Sequence, residues 1–304
     1  MLIAGIDIGT NSMRMLTADY STNKENKSIF KNRVKKTETT RIGKNINTTK
    51  IIDEETFKLN LQTFQSFVNE AKDGKAERIY AIGTSALRDA INGPEFVSQA
   101  EKNTGVTINI ISGAFEAELA FYGVSEGIEE TGRLLIIDIG GGSSEFVVGS
   151  KLEGILFKKS LNIGAVRLTD RFGEDFLSME DYIMSKLEMI KDLIERYNIK
   201  KVVGIGGTIT TLSSINQAMK IYDSEKIHNS LLSRNDIQYI LDSLKALTPE
   251  ERKKVVGLQP SRADIIVAGA SILLSGMDLL GIHKVIVSEF DNLEGMIYYY
   301  LKED

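Results

Sequence analysis

The chain has 304 residues, of which 42% are hydrophobic, and its formal net charge is −5. This length and composition favour a two-domain globular protein. The negative charge argues against extensive nucleic-acid binding, which normally needs a basic surface. Because the chain has no cysteine and only two histidines, thiolate metal sites are excluded, and multi-histidine sites and Ser-His-Asp catalysis are disfavoured. No signal-peptide pattern or membrane-spanning apolar stretch is present, so we expect a cytoplasmic protein without membrane contact.

In chain order, the first half is predicted as three strands followed by alternating strands and helices. Its β-type runs cover residues 3–8, 13–20, 29–34, 78–83 and 106–112. An amphipathic helix is predicted over 54–71, with Phe57, Leu61, Phe64, Phe67 and Val68 on its apolar side. A second helix is expected to be capped by Thr84 or Ser85, and a third covers 113–128.

The second half repeats this order. Strands are predicted at 134–139, 145–150, 156–160, 201–206 and 283–290, and helices at 179–196, 206–218, after Pro260 and at 292–301, with a turn at 249–252. A hinge at 125–131 is expected to separate a first domain, 1–125, from a second, 126–304. The last helix, about 292–304, is expected to pack back on the first domain.

Two stretches, AGIDIGTNS and LLIIDIGGGSS, share an apolar run that ends in Asp, an apolar residue and Gly and leads into a small polar loop with Ser. Such internal repetition indicates a duplicated architecture. Loops without Cβ atoms let backbone N–H groups converge on an anion, and a Ser or Thr hydroxyl adds a donor. The predicted phosphate-binding residues are Gly9, Thr10, Asn11 and Ser12 in one copy and Gly140, Gly141, Gly142 and Ser143 in the other. The acids that end the two strands, Asp7 and Asp138, can hold Mg²⁺ against phosphate oxygens.

Further motifs extend this pattern along nearly the whole chain. They are IDIGTNSMRM with Arg14, GTSALRDA with Arg88, ISGAFEAELAFYGV with Glu116, IDIGGGSSEFVVG with Glu145, GIGGTITTL with Gly206, Gly207 and Thr208, and GLQPSRADIIVAG with Arg262. In this order they resemble the actin-like ATPase and sugar-kinase superfamily and, more narrowly, the exopolyphosphatase/guanosine pentaphosphatase (Ppx/GppA) phosphatase family. The resemblance implies an α/β fold of two actin-like (ribonuclease H-like) domains with a central cleft.

The family resemblance also implies a reaction, the release of terminal orthophosphate from polyphosphate or from guanosine pentaphosphate. Glu116 matches the family's general base, which activates the attacking water, and Arg88 would clamp equatorial phosphate oxygens. Asp138 and Glu145, with help from Asp7, would hold Mg²⁺ or Mn²⁺. Arg14 and the loop formed by Gly206, Gly207 and Thr208 complete the phosphate-binding set.

Four positions depart from the family pattern. Phe115 and Glu118 stand where the family often has an acidic residue and an Arg, and Phe290 and Leu293 stand where Gly and Arg are expected. The loss of two cations is expected to weaken polyanion binding. Two alternatives to a hydrolase therefore stay open, a non-catalytic sensor of guanosine tetra- or pentaphosphate and, with less support, a small-molecule kinase of the same fold. The pattern does not rank polyphosphate against guanosine pentaphosphate, and it leaves oligomeric state open, with a homodimer as one option.

Overall fold

The computed structural model describes residues 1–22, 28–129 and 132–303. Its strands are β1 (Leu2–Ile8), β2 (Met13–Thr22), β3 (Ser28–Glu38), β4 (Arg78–Gly83), β5 (Ile108–Ile110), β6 (Leu134–Ile139), β7 (Ser144–Ser150), β8 (Gly154–Leu161), β9 (Lys201–Ile205), β10 (Leu231–Ser233) and β11 (Lys284–Val287). Its helices are α1 (Ile46–Thr49), α2 (Glu54–Asp73), α3 (Ser85–Asp89), α4 (Gly93–Thr104), α5 (Gly113–Gly127), α6 (Ala165–Phe172), α7 (Phe176–Leu187), α8 (Leu193–Tyr197), α9 (Gly206–Asn216), α10 (Ser224–Ile227), α11 (Arg234–Lys245), α12 (Pro249–Arg252), α13 (Ile266–Leu280) and α14 (Asn292–Glu303). The expected α/β class is confirmed.

The chain folds as two compact units. The first comprises Met1–Glu126 together with Asn292–Asp304, and the second comprises Gly127–Asp291. Residues 130 and 131 of the predicted hinge lie outside the described residues. That 1–125 and 126–304 behave as separate domains stays a prediction.

The two units share one sheet topology. The strand order in the first is β3-β2-β1-β4-β5, and in the second it is β8-β7-β6-β9-β11, extended by β10. In each unit the first three strands pair antiparallel. The parallel strands are β1, β4 and β5 in the first unit and β6, β9 and β11 in the second, where β10 pairs antiparallel with β11. Both second-to-third pairs also shift register once, at Thr17/Asp19 and at Val148/Gly149. The duplication read from two short motifs therefore extends to the complete sheets.

In the first unit, helices cover both faces of the sheet. On one face, α2 begins at Asp53, whose side chain accepts the Thr56 N–H, and buries Phe64, Phe67 and Val68. These side chains pack with alternate residues of β1, which place one face of the strand in this core. The predicted helix over 54–71 is thus confirmed.

On the other face of the first sheet, α14 approaches unusually closely. A Cβ at Gly5 would lie 2.7 Å from the Met296 side chain, and a Cβ at Gly295 would overlap the Leu119 carbonyl oxygen of α5. The buried Glu294 carboxylate pairs with Arg33 and Lys35 of β3. Glycine at two contacts and a buried ion pair therefore fix α14 against β1, β3 and α5.

The second unit is organised around α13, which is mostly apolar and, apart from the exposed Asp278, almost wholly buried. It packs against α6, α7, α9 and α11, and its Leu273 and Met277 join one core with residues of β6, β7 and β9. A helix that is hydrophobic all round belongs in the interior of a large core.

Three local predictions were wrong. The helix expected over 179–196 is divided into α7, a 3₁₀ turn at Glu188–Ile190 and α8. Its buried residues change from a spacing of four to a spacing of three at Leu187, Ile190 and Leu193, which matches the three residues per turn of a 3₁₀ helix. The turn expected at 249–252 is the helix α12, with a capping box at its start. Finally, Thr84 gives α3 no side-chain cap, and Ser85 is the first residue of that helix, with its hydroxyl donating to Asp89.

Gly295 provides a test of the close α14 contact. We expect Gly295→Ala to lower the free energy of unfolding by about 1–3 kcal/mol, because the added methyl group meets backbone that has no rotamer to change. The matched control is Gly276→Ala in α13, where a Cβ would have its nearest neighbour at 4.0 Å. There we expect unchanged stability or a gain of up to about 1 kcal/mol. Urea denaturation measures both, and equal effects of the two substitutions would contradict this account.

Candidate functional site

In the first unit, three parallel strands end at the same level. Ile8 of β1 is paired with Gly83 of β4, and Gly83 with Ile110 of β5. The 9–12 loop follows the first strand, α3 with Arg88 follows the second, and α5 with Glu116 follows the third. Ligands of open α/β sheets usually bind at such carboxyl ends, so the predicted residues of this unit lie on the edge where a ligand is expected.

The 9–12 loop has a hydrogen-bond pattern suited to an anion. The carbonyl of Ser12 accepts from Gly9, that of Thr10 from Gly43 and that of Asn11 from Arg41. In the part of the chain that the structure describes, the amides of Thr10, Asn11 and Ser12 have no protein acceptor, although these residues are buried. Buried amides without an acceptor are rare, and successive open amides form an anion-binding nest.

Asp7 and Arg14 face each other across β1 and β2, the strands that flank this loop. Two guanidinium nitrogens of Arg14 donate to Asp7 Oδ2, at 3.2 Å from Nε and 2.5 Å from Nη2. The Asp7 carboxylate is therefore largely neutralised by a neighbouring cation, which makes it less suited to a metal ion than the sequence suggested.

Arg88 and Glu116 also come together. Arg88 Nη1 donates to the Ile111 carbonyl at 2.7 Å and lies 3.8 Å from Glu116 Oε2. The Glu116 residue is 8% exposed and sits in the first turn of α5, where the helix dipole favours a carboxylate. Asp89, the neighbour that could have paired with Arg88 on the surface, instead accepts from Ser85. The buried Glu116 carboxylate, which follows β5, thus lies beside the Arg88 guanidinium, which follows the neighbouring strand β4.

The second unit repeats this arrangement. The 140–143 loop follows β6, the 206–208 loop follows the parallel strand β9, and both start at the carboxyl end of the sheet. Gly140 donates to the Ser143 carbonyl at 3.0 Å, as Gly9 does to Ser12. Over the described residues, the amides of Gly141, Gly142 and Ser143 again find no protein acceptor. Each unit therefore carries one loop with three open amides.

Asp138 and Glu145 occupy the cross-strand positions that Asp7 and Arg14 hold in the first unit. They are 6% and 1% exposed, and Glu145 accepts from the Ser160 hydroxyl at 2.7 Å. Like charges directly opposite each other destabilise a sheet, and a divalent cation between them offsets the repulsion. No group of three acidic or histidine residues that could hold a metal occurs in residues 1–22, 28–129 and 132–303. Two carboxylates fit Mg²⁺, which commonly takes one or two plus waters and substrate oxygens.

The 206–208 loop opens α9 and is shaped by its glycines. Gly206 has a φ of 85°, in the left-handed region, and its Cα faces the Asp138 carboxylate. At Gly207, a Cβ would overlap the Arg262 guanidinium, so this side chain lies directly on the helix terminus. The buried Thr208 packs against Gly269 of α13. Arg262 belongs to a motif noted in the sequence, but its place at this terminus was not predicted.

Close to this terminus, Tyr222 donates to the Glu289 carboxylate. Burial, followed by the charge of Glu289, raises the pKa of Tyr222, while Thr210 and Arg262 oppose the shift. No sequence signal marked this pair.

Sequence reasoning also missed the segments that hold the two loops from behind. Gly43 donates to the Thr10 carbonyl, and Ala165, which follows Gly164, donates to that of Gly140. A Cβ at Gly43 would overlap the Thr10 methyl group, and one at Gly164 would lie 2.5 Å from the backbone of Gly141. The signal was present as a repeated Ile-Gly dipeptide at 42–43 and 163–164.

These two glycines give a paired test. Gly43→Ala should impair folding or phosphate binding, and adding Thr10→Ser should restore much of the loss, because the clash is with the Thr10 methyl group. Gly164→Ala meets backbone, so we expect a loss of about 1–3 kcal/mol that no neighbouring side-chain change relieves. Thermal unfolding measures both effects. Failure of Thr10→Ser to rescue Gly43→Ala would refute the packing argument.

The four departures from the family pattern have different surroundings. Leu293 is fully buried in the α14 core, and Phe115 packs edge-on to Tyr299 at 4.8 Å between ring centroids. Phe290 packs on Gly127. Burial and then the charge of Glu118 raise the pKa of Tyr122, which places Glu118 on the Tyr122 side of α5.

Two α/β units of one topology, each with successive open amides at the carboxyl end of its sheet, define a protein of the actin-like class. The model of the Ppx/GppA phosphatase family matches residues 22–304, and the chain belongs to that family. The expected hydrolase class is thereby confirmed. Over residues 1–22, 28–129 and 132–303, no helix has the length and apolar character needed to cross a membrane.

Three similar proteins illustrate the range of the family. The chain is 35% identical to a bifunctional 3-dehydroquinate synthase/phosphatase of Fusobacterium nucleatum over 97% of its length, but it spans only 46% of that protein. It is 29% identical to exopolyphosphatase 2 of Mycobacterium tuberculosis, with 97% of both chains covered. It is 28% identical to a guanosine-5'-triphosphate,3'-diphosphate pyrophosphatase of Photobacterium profundum, over 98% of this chain and 59% of that protein.

Solved structures agree with the fold. An exopolyphosphatase from Cytophaga hutchinsonii superposes with a TM-score of 0.88 at 30% identity, covering 100% of this chain and 98% of that one. The Ppx/GppA family member of Aquifex aeolicus gives a TM-score of 0.81 at 28% identity, covering 100% and 99%. The two-domain actin-like fold expected from the motifs is confirmed.

Proposed function

We propose that this chain hydrolyses the terminal phosphoanhydride of polyphosphate or guanosine pentaphosphate. The carrying observation is the buried Glu116 carboxylate 3.8 Å from Arg88, on the sheet edge that also bears the open amides of the 9–12 loop. The similar proteins named above include both an exopolyphosphatase and a guanosine-5'-triphosphate,3'-diphosphate pyrophosphatase. Both substrates present the same kind of terminal anhydride, so both belong to the proposal.

In the proposed reaction, Glu116 accepts a proton from the water that attacks the terminal phosphorus atom. Phosphoryl transfer needs little covalent help from the protein and depends on positioning and charge stabilisation. Arg88, anchored on the Ile111 carbonyl, offers guanidinium protons to the equatorial oxygens. The open amides of each loop donate to phosphate oxygens, and donors fixed in advance stabilise developing charge without reorganising.

A divalent cation, Mg²⁺ or Mn²⁺, is part of the proposal. Asp138 and Glu145 would hold it, because they are buried carboxylates on directly opposed positions. When bound, it would neutralise charge on the phosphate oxygens. Asp7 is a weaker candidate because Arg14 already pairs with it.

The general base is tested by Glu116→Gln, which keeps the size of the side chain and removes its proton-accepting charge. We expect orthophosphate release to fall by about 10² or more, with short polyphosphate, long polyphosphate and guanosine pentaphosphate assayed in parallel. The matched control is Glu118→Gln, which removes the same charge two residues away on the Tyr122 side of α5 and should leave the rate within about threefold.

Equal losses in the two variants would argue against Glu116 as the base. If the wild type releases no phosphate from any of the three substrates, the hydrolase proposal fails. Direct binding of guanosine tetra- or pentaphosphate without turnover would then support the sensor. Phosphate transfer from ATP that requires an added acceptor would instead indicate a kinase.

The metal assignment has a test that needs no turnover. Millimolar Mg²⁺ is expected to raise the melting temperature of the wild type, because a ligand that binds only the folded state stabilises it. Asp138→Asn and Glu145→Gln should abolish this increase, whereas Asp7→Asn should retain it. The assignment is wrong if the Mg²⁺-induced shift survives both second-unit substitutions or is lost only in Asp7→Asn.

A further inference from the structure

The carbonyl groups of Gly140, Gly141 and Gly142 accept hydrogen bonds from the start of α6. Ala165 donates to Gly140, and the Arg167 amide donates to Gly141 at 3.0 Å. The Gly142 carbonyl accepts from Arg167 Nε at 2.6 Å. One residue of α6 therefore holds two successive peptide groups of this loop, one with its backbone and one with its side chain.

The carbonyl groups of the 9–12 loop are held by backbone donors instead. Its Thr10 and Asn11 carbonyls accept from the backbone amides of Gly43 and Arg41. Among the described residues, a side chain holds the peptide group that precedes the loop serine in the second unit but not in the first. The chemical difference between the loops is that Thr10 and Asn11 carry Cβ atoms, whereas Gly141 and Gly142 do not.

Peptide geometry gives this contact a consequence. No peptide bond among the described residues is cis, and in a trans peptide the C=O and N–H point in opposite directions. A donor on the Gly142 carbonyl therefore directs the Ser143 N–H to the other side of the loop. Because glycine imposes little restriction on rotation about its own backbone bonds, Gly142 alone does not fix this orientation.

We propose that Arg167 is a positioning residue for phosphate binding, which holds the Gly142–Ser143 peptide so that the Ser143 N–H joins the open amides of the 140–143 loop. This inference rests on the proposed function, since it assigns the loop to the substrate phosphates. A rotated peptide would present a carbonyl oxygen to an anion in place of a donor. The substrate class concerned is a chain of phosphates, with or without a nucleoside.

Two substitutions separate the effect of the Arg167 hydrogen bond from the effect of its charge. Arg167→Gln keeps a side-chain N–H and removes the charge, and Arg167→Met removes both. Arg171 supplies the matched control, because it lies one turn later in the same helix with its guanidinium over the rings of Phe172 and Tyr182, 5.1 and 4.3 Å from the centroids. Arg171→Met removes an equal charge without touching the loop.

Two readouts are needed, the crystal structure of each variant and its steady-state kinetics with tripolyphosphate and guanosine pentaphosphate. We expect a rotated Gly142–Ser143 peptide in Arg167→Met and a KM raised about tenfold, as for the loss of one charge-assisted hydrogen bond. The kcat should change less than the KM. In Arg167→Gln the native peptide and a KM within about threefold of wild type are expected, and Arg171→Met should match the wild type.

An unrotated peptide in Arg167→Met would overturn the proposal, as would a folded Arg167→Gln variant as impaired as Arg167→Met. If Arg167→Met does not fold, the Gln variant decides, since positioning predicts near-native kinetics and a need for charge predicts a loss. If the wild type hydrolyses neither substrate, the proposed function fails, and the peptide orientation in the variant structures still decides the role of Arg167.

Discussion

Both units depend on one constraint, that a chain leaving a buried strand must satisfy its backbone carbonyls while leaving its amides open. A turn bond from the first glycine to the serine carbonyl satisfies one end of each loop. A second segment, which contains an Ile-Gly dipeptide, supplies donors to the Thr10 and Asn11 carbonyls in the first unit and to the carbonyls of residues 140–142 in the second. Three amides in each loop are then left without a protein acceptor among the described residues. Gly43 and Gly164 are required because a Cβ at either position would clash with the loop.

Duplication has preserved this backbone arrangement while the cross-strand side chains have changed. One hairpin pairs Asp7 with Arg14, and the other pairs Asp138 with Glu145. The first pair is compensated internally, whereas the second concentrates negative charge beside open amides. Neighbouring carboxylates strengthen the binding of an anion only if a cation is also present, because carboxylates by themselves repel phosphate. The second pair is therefore the one that the proposal assigns to the divalent cation.

Much of the fold was readable from the sequence because its signals are periodic or repeated. Patterns that span many residues predict the 9–12 and 140–143 loops, the apolar face of α2 and the order of the strands. The Asp7–Arg14 pair was also accessible in principle, since a four-residue loop sets the register of the hairpin. By contrast, the break after α7 has no Pro or Gly to mark it and arises from how Ile190 and Leu193 meet the core.

The parts of the site that escaped prediction are contacts between segments distant in sequence. Arg262 reaches Gly207, and Arg167 reaches Gly142, through tertiary packing that no local motif encodes. A dipeptide repeat such as Ile-Gly is too short to stand out from chance until the loops that it supports are known. The roles of Glu116 and Arg88 came from the family resemblance, and the structure adds their mutual distance.

The surroundings of Leu293 and Phe115 explain what these two departures from the family pattern do in the fold. A cation at position 293 would have to be buried in the apolar core of α14, where Leu293 now packs without exposure. Burying an unpaired charge costs far more than burying an apolar side chain, so an Arg there would need a different packing of α14. Phe115 of α5 likewise packs against Tyr299 of α14. The residues at 115 and 293 therefore belong to the packing of α5 against α14, while Glu116 and Arg88 lie 3.8 Å apart at the sheet edge that also carries the 9–12 loop.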